Sequence, residues 1–301
     1  MNRILISGAS GLIGSALSAQ VEAQGVQVVR LARAGSQGSA SIAWDPMAKE
    51  VGAGLAASLV SGFDAVVHLA GESIAGRWTE SKKKAIRDSR VRGTRNLATA
   101  LAWAESKPKV FVCASAIGFY GDRGEEVLTE ESTRGQGFLP EICREWEEAS
   151  RIAADAGIRT VNLRTGLVLS ANGGALGKML MPFKLGLGGR IGSGKQWWSW
   201  IHIDDMVGAI QHAISTDSLA GPVNMVAPNS VRNTEFTKVL ASVLGRPAIF
   251  PVPGFALGLA FGKMAAEELF LASQLVKPAR LEGSGYRFQF GELRGALESL
   301  V

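Results

Sequence analysis

The sequence predicts an α/β protein: a doubly wound parallel sheet carrying a smaller C-terminal lobe. Three observations point there. The apolar run Ile4-Leu5-Ile6 leads directly into Gly8-Ala9-Ser10-Gly11-Leu12-Ile13-Gly14. Short strand patterns then alternate with longer helical patterns through the first two-thirds of the chain. After Leu167 the composition changes, with Gly173-Gly174, Gly186, Gly188-Gly189, Gly192 and Gly194 followed by Trp197-Trp198-Ser199-Trp200.

The strand candidates are Arg3–Ser7, Val26–Leu31, Ala65–Leu69, Val110–Ala114 and Thr160–Arg164, with helices near Leu12–Gln24, Ser81–Glu105 and Pro140–Ala156. They place a nucleotide-binding domain over residues 1–166, with returning segments near 200–228. A substrate lobe and helical tail follow over 167–301.

The first strand-to-helix turn carries the chemistry. Gly8 permits a tight turn. Gly11 lets backbone approach phosphate, and Gly14 lets the helix pack on the strand. With Ser10, Leu12 and Ile13, these residues present free N–H groups and the positive end of a helix dipole to an anion. The spacing is G-x-x-G-x-x-G, and glycines are plentiful at 37. Position between a first strand and a helix is what separates a dinucleotide loop from an ordinary tight turn. The fold is therefore read as Rossmann-type.

Strand two, Val26-Gln27-Val28-Val29-Arg30-Leu31-Ala32-Arg33, decides which dinucleotide. An acid at its end would accept from a ribose 2′-hydroxyl and mark NAD. None is present. Arg30 and Arg33 could instead pair with a 2′-phosphate, so the reading is NADP, with NAD the weaker fit and Arg33 the better-placed cation. The alternative is a pair of solvated strand-end charges.

Composition excludes other classes. A 47% hydrophobic chain of 301 residues can bury a full core, and no apolar run approaches the ~20 residues of a membrane span. The longest, Phe255–Phe261, is broken by glycine and reads as a packed helix. No signal-peptide pattern precedes the first strand. Cys113 and Cys143 spell neither a disulfide framework nor a metal site, which suits a reducing cytoplasm. The net charge of +5 is scattered, and Lys82-Lys83-Lys84 reads as a solvated helix face. The expected partner is a small-molecule substrate, not nucleic acid or membrane; a homo-oligomer is compatible with the sequence.

Several stretches carry a resemblance: Gly8–Gly14, His68-Leu69-Ala70-Gly71, Arg90-Val91-Arg92-Gly93-Thr94, Ser115–Gly121 and Ile201-His202-Ile203-Asp204-Asp205. Over essentially its whole length the chain resembles the extended short-chain dehydrogenase/reductase superfamily, in its NAD-dependent epimerase/dehydratase-like branch. Ser81–Thr94 and Phe255–Phe290 look like an atypical subgroup there, the epimerase family proteins of SDR family 39U. The resemblance implies an NADP site and a C-terminal substrate lobe. It also implies an oxidoreductase or epimerase acting on a small, sugar-nucleotide-like substrate. His68, at a strand end where ribose or nicotinamide would pass, joins the cofactor candidates with Leu69, Ala70, Gly71 and Arg90, which takes the place of a usual Asn.

The catalytic apparatus departs from that pattern. Ordinary members use Ser with Tyr-x-x-x-Lys on one helix, where the four-residue step puts both on one face. The two tyrosines here, Tyr120 and Tyr286, have Gly124 and Phe290 four residues on. By the resemblance Leu139 takes the Tyr place and Cys143 the Lys place, with Glu147 matching an acid that often follows. Ser115 is the upstream serine, although a gap-free match lands on Ala116. Three readings stay open. Hydride transfer persists with another acid, Tyr120 first and Cys143 second. Or turnover is lost and the fold senses or carries NADP. Or the protein is an interaction module.

Other motifs weigh less. Gly189–Lys195 spells most of a P-loop, but Gln196 replaces the Ser or Thr, and no helix pattern follows. Nucleotide triphosphate binding is rejected there, leaving Arg190 and Lys195 as candidates to face an anionic part of a substrate. Asp205 is an N-cap candidate. The tryptophan cluster reads as lobe packing before a stacking wall. Arg164-Thr165-Gly166 is expected to line the crevice at the strand ends.

Overall fold

The computed structural model describes residues 1–33, 40–49 and 54–301. Its sheet strands are β1 (Arg3–Ser7), β2 (Gln27–Arg33), β3 (Ser41–Trp44), β4 (Ala65–His68), β5 (Val110–Ala116), β6 (Arg159–Thr165) and β7 (Gly221–Met225). All pair in parallel, in the order β7-β6-β5-β4-β1-β2-β3. The chain leaves β1 outward in both directions, so the strand order reverses between β1 and β4. An open α/β sheet forms its ligand crevice at such a point.

Strand periodicity sets the two faces. Ile4, Ile6, Val67, Val110 and Val112 point to one side, onto α1 (Leu12–Ala23) and, later in the chain, the helix Ile203–Ser215. Leu5, Val66, Phe111 and Cys113 point to the other, onto α2 (Glu80–Ala102) and α3 (Phe138–Asp155). Alternate residues thus feed two cores, the pattern of a sheet covered on both faces. Thr79 caps α2, its Oγ1 accepting from Lys82 N at 3.2 Å. Lys82, Lys83 and Lys84 pair with Glu72, Glu80 and Asp88, and Lys84 alone of the three is largely solvated.

A third core belongs to the lobe. Leu176, Leu180 and Phe183 of the helix Gly174–Lys184 pack with Trp200, Phe236, Leu240 and Leu297. Trp200 is buried and Trp198 lies edge-on to Phe236 at 5.2 Å, so these tryptophans pack the lobe. Phe255–Phe261 falls in the helix Gly254–Phe261, yet Leu257 alone of its residues is buried. Phe255 and Leu259 stand about three-quarters exposed, which corrects the reading of a packed helix. Asp205 is no N-cap either. His202 caps that helix, its Nδ1 accepting from Asp204 N. Asp205 is buried and accepts from Gln289 N (2.8 Å) and Phe290 N (2.9 Å), pinning the C-terminal tail.

His68 ends β4 abreast of Ser7 and Cys113. Its ring is wholly buried between Trp44 and Phe111, and burial pulls its pKa down to about 4. The unfolded chain therefore binds a proton near pH 6.5 that the folded chain refuses. Stability is full above pH 6.5 and falls as pH drops toward 4, by roughly 3 kcal/mol in all. Urea titrations from pH 7 to 4 should show this decline, and His68→Gln should flatten it. An equal slope in the variant would assign the acid lability elsewhere.

Candidate functional site

The glycine turn closes on itself before α1 begins. Gly8 has φ +71°, a left-handed conformation that side chains rarely take, and a Cβ there would lie 2.8 Å from Ala70 N. Gly11 N donates to Gly8 O at 2.9 Å. A Cβ on Gly14 would fall on the Gly8 carbonyl oxygen and 2.9 Å from Ala9 Cα. The helix can approach only because that atom is missing. Gly11 is the N-cap and offers no side-chain oxygen, so no side chain caps the first-turn N–H groups. Ser10 and Gly11 are exposed, and Leu12 and Ile13 half-buried, at the mouth of this cradle. The residues present fit a diphosphate.

The two arginines of β2 separate. Arg30 pairs with Glu22 of α1 at 2.8 Å and is engaged away from the strand end. Arg33 ends the strand, exposed. Its charge reaches Glu72 just past β4. The Lys82 hydrogen bond, chiefly, holds that carboxyl below the usual range, with Arg90 and Arg33 adding to it. Arg33 thus stands at the open end of β2, on the β2 side of the strand-order reversal.

Past β4, Leu69, Ala70 and Gly71 turn across the mouth of the sheet, with Gly71 exposed. His68 does not join them. Its Nδ1 shares a 2.6 Å hydrogen bond with Ser7 Oγ, and its Nε2 is buried without a partner. Its side chain is sheet interior, which corrects the expectation of cofactor contact. Arg90 does reach this turn. Its guanidinium carbon would lie 3.4 Å from a Cβ on Gly71, and it stacks over Trp146 at 5.0 Å. Nη1 donates to the carbonyls of Glu72 (2.9 Å) and Ile86 (3.2 Å). Burial pulls its pKa down.

The expected proton donors lie elsewhere than the sequence suggested. Ser115 is buried on the α3 side and donates to Glu147 Oε1 at 2.8 Å. Tyr120 is wholly enclosed, donating to Asn224 Oδ1 (2.7 Å) and accepting from Arg164 Nη1 (3.1 Å). Burial raises its pKa against the pull of Arg164. Cys143 is buried against Gly118, and burial pushes its thiol up to about 12. None of the three opens to the crevice as an acid, so the catalytic roles given to them are corrected. Half-buried Ala116 sits next along β5, with half-buried Leu139 facing Gly118. By the resemblance, Leu139 and Cys143 take the Tyr and Lys places, and the serine place falls on buried Ser115 or on half-buried Ala116.

Behind them lies a network that the sequence did not announce. Arg164 grips Glu147 with two 2.9 Å hydrogen bonds, Nε to Oε1 and Nη2 to Oε2. It lies 3.6 Å from the centre of the Phe119 ring. Arg164 is therefore a buried tie between β6 and α3, not a crevice wall. The sequence signal was an acid on α3 one turn past Cys143, but nothing in spacing paired it with Arg164.

A cavity of about 370 Å³ opens beside Gly118 and Leu139. Its far wall is Glu267, Glu268, Leu271 and Gln274 from the C-terminal segment. Glu268 accepts from Phe138 N (2.9 Å) and Leu139 N (2.7 Å), capping α3 from the lobe. Gln274 Nε2 donates to the carbonyls of Ile117 and Gly121. A larger depression of about 550 Å³ lies against the starts of β6 and β7, at Arg159, Thr160 and Gly221. That is the wrong end of the sheet for the crevice, so we set it aside. The Gly189–Lys195 loop is no phosphate cradle. Ile191 N donates to Asn233 Oδ1, and Gly192 N to Val252 O.

Comparison with known proteins agrees with this geometry. The NAD dependent epimerase/dehydratase family matches residues 4–226, and a domain of unknown function, DUF1731, matches 252–300. An epimerase family protein of Mycobacterium tuberculosis is 39% identical over 98% of this chain and 96% of its own. The crystal structure of the human epimerase family protein SDR39U1 with NADPH superposes at TM-score 0.91 and 36% identity, covering 99% of this chain and 98% of that one. A nucleoside-diphosphate sugar epimerase from Corynebacterium glutamicum superposes at 0.82 and 39% identity, over 99% of this chain and 58% of that one. With its glycine cradle, its reversed strand order and a family match that runs through β7, the chain belongs to the NAD dependent epimerase/dehydratase family, among the epimerase family proteins.

Proposed function

We propose that this protein is an NADP-dependent oxidoreductase or epimerase acting on a small substrate held between the Rossmann sheet and the C-terminal segment. The observation that carries the reading is the Gly8–Gly14 cradle with Arg33 beside it and no acid at the end of β2. Gly8, Gly11 and Gly14 would admit the diphosphate, and Arg33 the 2′-phosphate. The crystallisation of a 36%-identical human relative with NADPH supports the same choice. Bound here, the nicotinamide would supply or accept hydride.

The chain itself would position the substrate in the cavity beside Gly118 and Leu139. Of the carboxylates there, Asp122 accepts from Ser273 N (3.0 Å) and Gly124 N (3.3 Å), and Glu268 caps α3. Glu267 has no such backbone ties among the described residues. Its one ion pair, to Lys263, is 3.9 Å long. It is the carboxyl left to exchange a proton with the substrate. Two free, buried cysteines suit a cytoplasmic setting, and no described helix is long and apolar enough to cross a membrane.

Titration with NADPH and NADH tests the reading. Arg33→Ala should cost about 1.5–3 kcal/mol of NADPH binding and almost none of NADH binding. Equal losses would refute NADP selectivity. Turnover is followed by nicotinamide absorbance over a panel of carbonyls and sugar nucleotides. Tight binding with no turnover anywhere on it would favour an NADP-binding protein without catalysis, as the absence of a Tyr-x-x-x-Lys pair allows.

A further inference from the structure

Arg90 is a cation in an unusual position. It lies between the Gly71 backbone, which turns across the crevice, and the Cys143–Trp146 face of α3. A guanidinium carries five N–H donors, and among the described residues its two hydrogen bonds both come from Nη1 and both go to backbone carbonyls. Among the described residues no carboxylate hydrogen-bonds it; Glu72, whose charge acts on it, is taken by Lys82 at 2.6 Å. Among the described residues its Nε and Nη2 N–H groups make no hydrogen bond, so they are left to meet water or a ligand. Across from it stands Cys143, a buried neutral thiol in the place where the resemblance expects a lysine.

We propose that the cationic contact to the nicotinamide half of the dinucleotide has moved from α3 to α2, with Arg90 hydrogen-bonding ribose and phosphate oxygens there and Cys143 small enough to make room. The topology supports the division of labour. Arg33 ends β2, on one side of the strand-order reversal between β1 and β4. Gly71, Arg90 and Cys143 lie on the other, between the ends of β4 and β5. A dinucleotide laid across the reversal would meet Arg33 with its adenosine half and Arg90 with its other half. This inference rests on the NADP reading above.

The test uses two probes, NADP⁺ and adenosine 2′,5′-bisphosphate, the second being the adenosine half alone. In Arg90→Asn, NADP⁺ affinity should fall at least tenfold while the bisphosphate binds within twofold of wild type. Adding Cys143→Lys to that variant should return a large part of the lost NADP⁺ affinity, because it restores one cation to the same space. Melting temperatures without ligand report whether each variant is folded. Unchanged NADP⁺ affinity, or equal losses of both probes, would overturn the proposal, as would a folded double variant that binds no better than Arg90→Asn. Wild-type protein that binds neither probe would instead end the NADP reading itself.

Discussion

Glu147→Ala is expected to destabilise the protein by about 3–5 kcal/mol, the cost of removing one partner from a buried ion pair. Arg164 lies almost wholly inside the protein, and Glu147 takes both of the guanidinium hydrogen bonds that bear its charge. Without that carboxylate, the cation keeps only Tyr120 and the Glu130 carbonyl, both neutral. Ser115 loses its acceptor in the same step. Urea unfolding should show a large fall in midpoint with little change in slope. Replacing both members together, Glu147→Met with Arg164→Met, should cost much less than the single change, because no charge is then left stranded. A loss under 1 kcal/mol in Glu147→Ala would mean that water reaches Arg164 and the pair is not buried in solution.

Gly14→Ala should have the next largest effect, felt in stability and cofactor binding together. The added Cβ cannot coexist with the Gly8 carbonyl, so α1 must slide off the turn it packs against. Overpacking of this kind costs about 1–3 kcal/mol. The displaced helix would also carry its first-turn N–H groups out of line with the diphosphate. NADPH affinity should therefore fall even where the variant is fully folded, as isothermal titration would show. Gly258→Ala is the control. Its Cβ meets nothing within 4 Å, and it should leave binding unchanged. Wild-type affinity in Gly14→Ala would place the dinucleotide elsewhere.

The sequence exposed what is local and hid what is not. The glycine cradle was legible because each glycine answers a constraint within the same seven residues. The place of Arg33 at the end of β2 was legible because a strand end is a fixed place in this fold. Strand β3 was missed: it is four residues long and its Ser41-Ile42-Ala43-Trp44 carries a weak pattern. Ser115 was misjudged through parity. Adjacent strand residues face opposite ways, so one step of register separates the crevice from the Glu147 side. Tyr120 was misjudged because the partners that enclose it, Arg164 and Asn224, are 44 and 104 residues away in sequence. Glu268 was not foreseen at all, since a helix cap supplied from 130 residues downstream leaves no mark on the helix it caps.

That cap has a wider consequence. The segment around Glu267–Gln274 is bolted to the start of α3 and to the loop after β5, and it forms the far wall of the cavity beside Gly118 and Leu139. On the proposed reading, this segment selects the substrate, and the nucleotide cradle at Gly8–Gly14 takes no part in that choice.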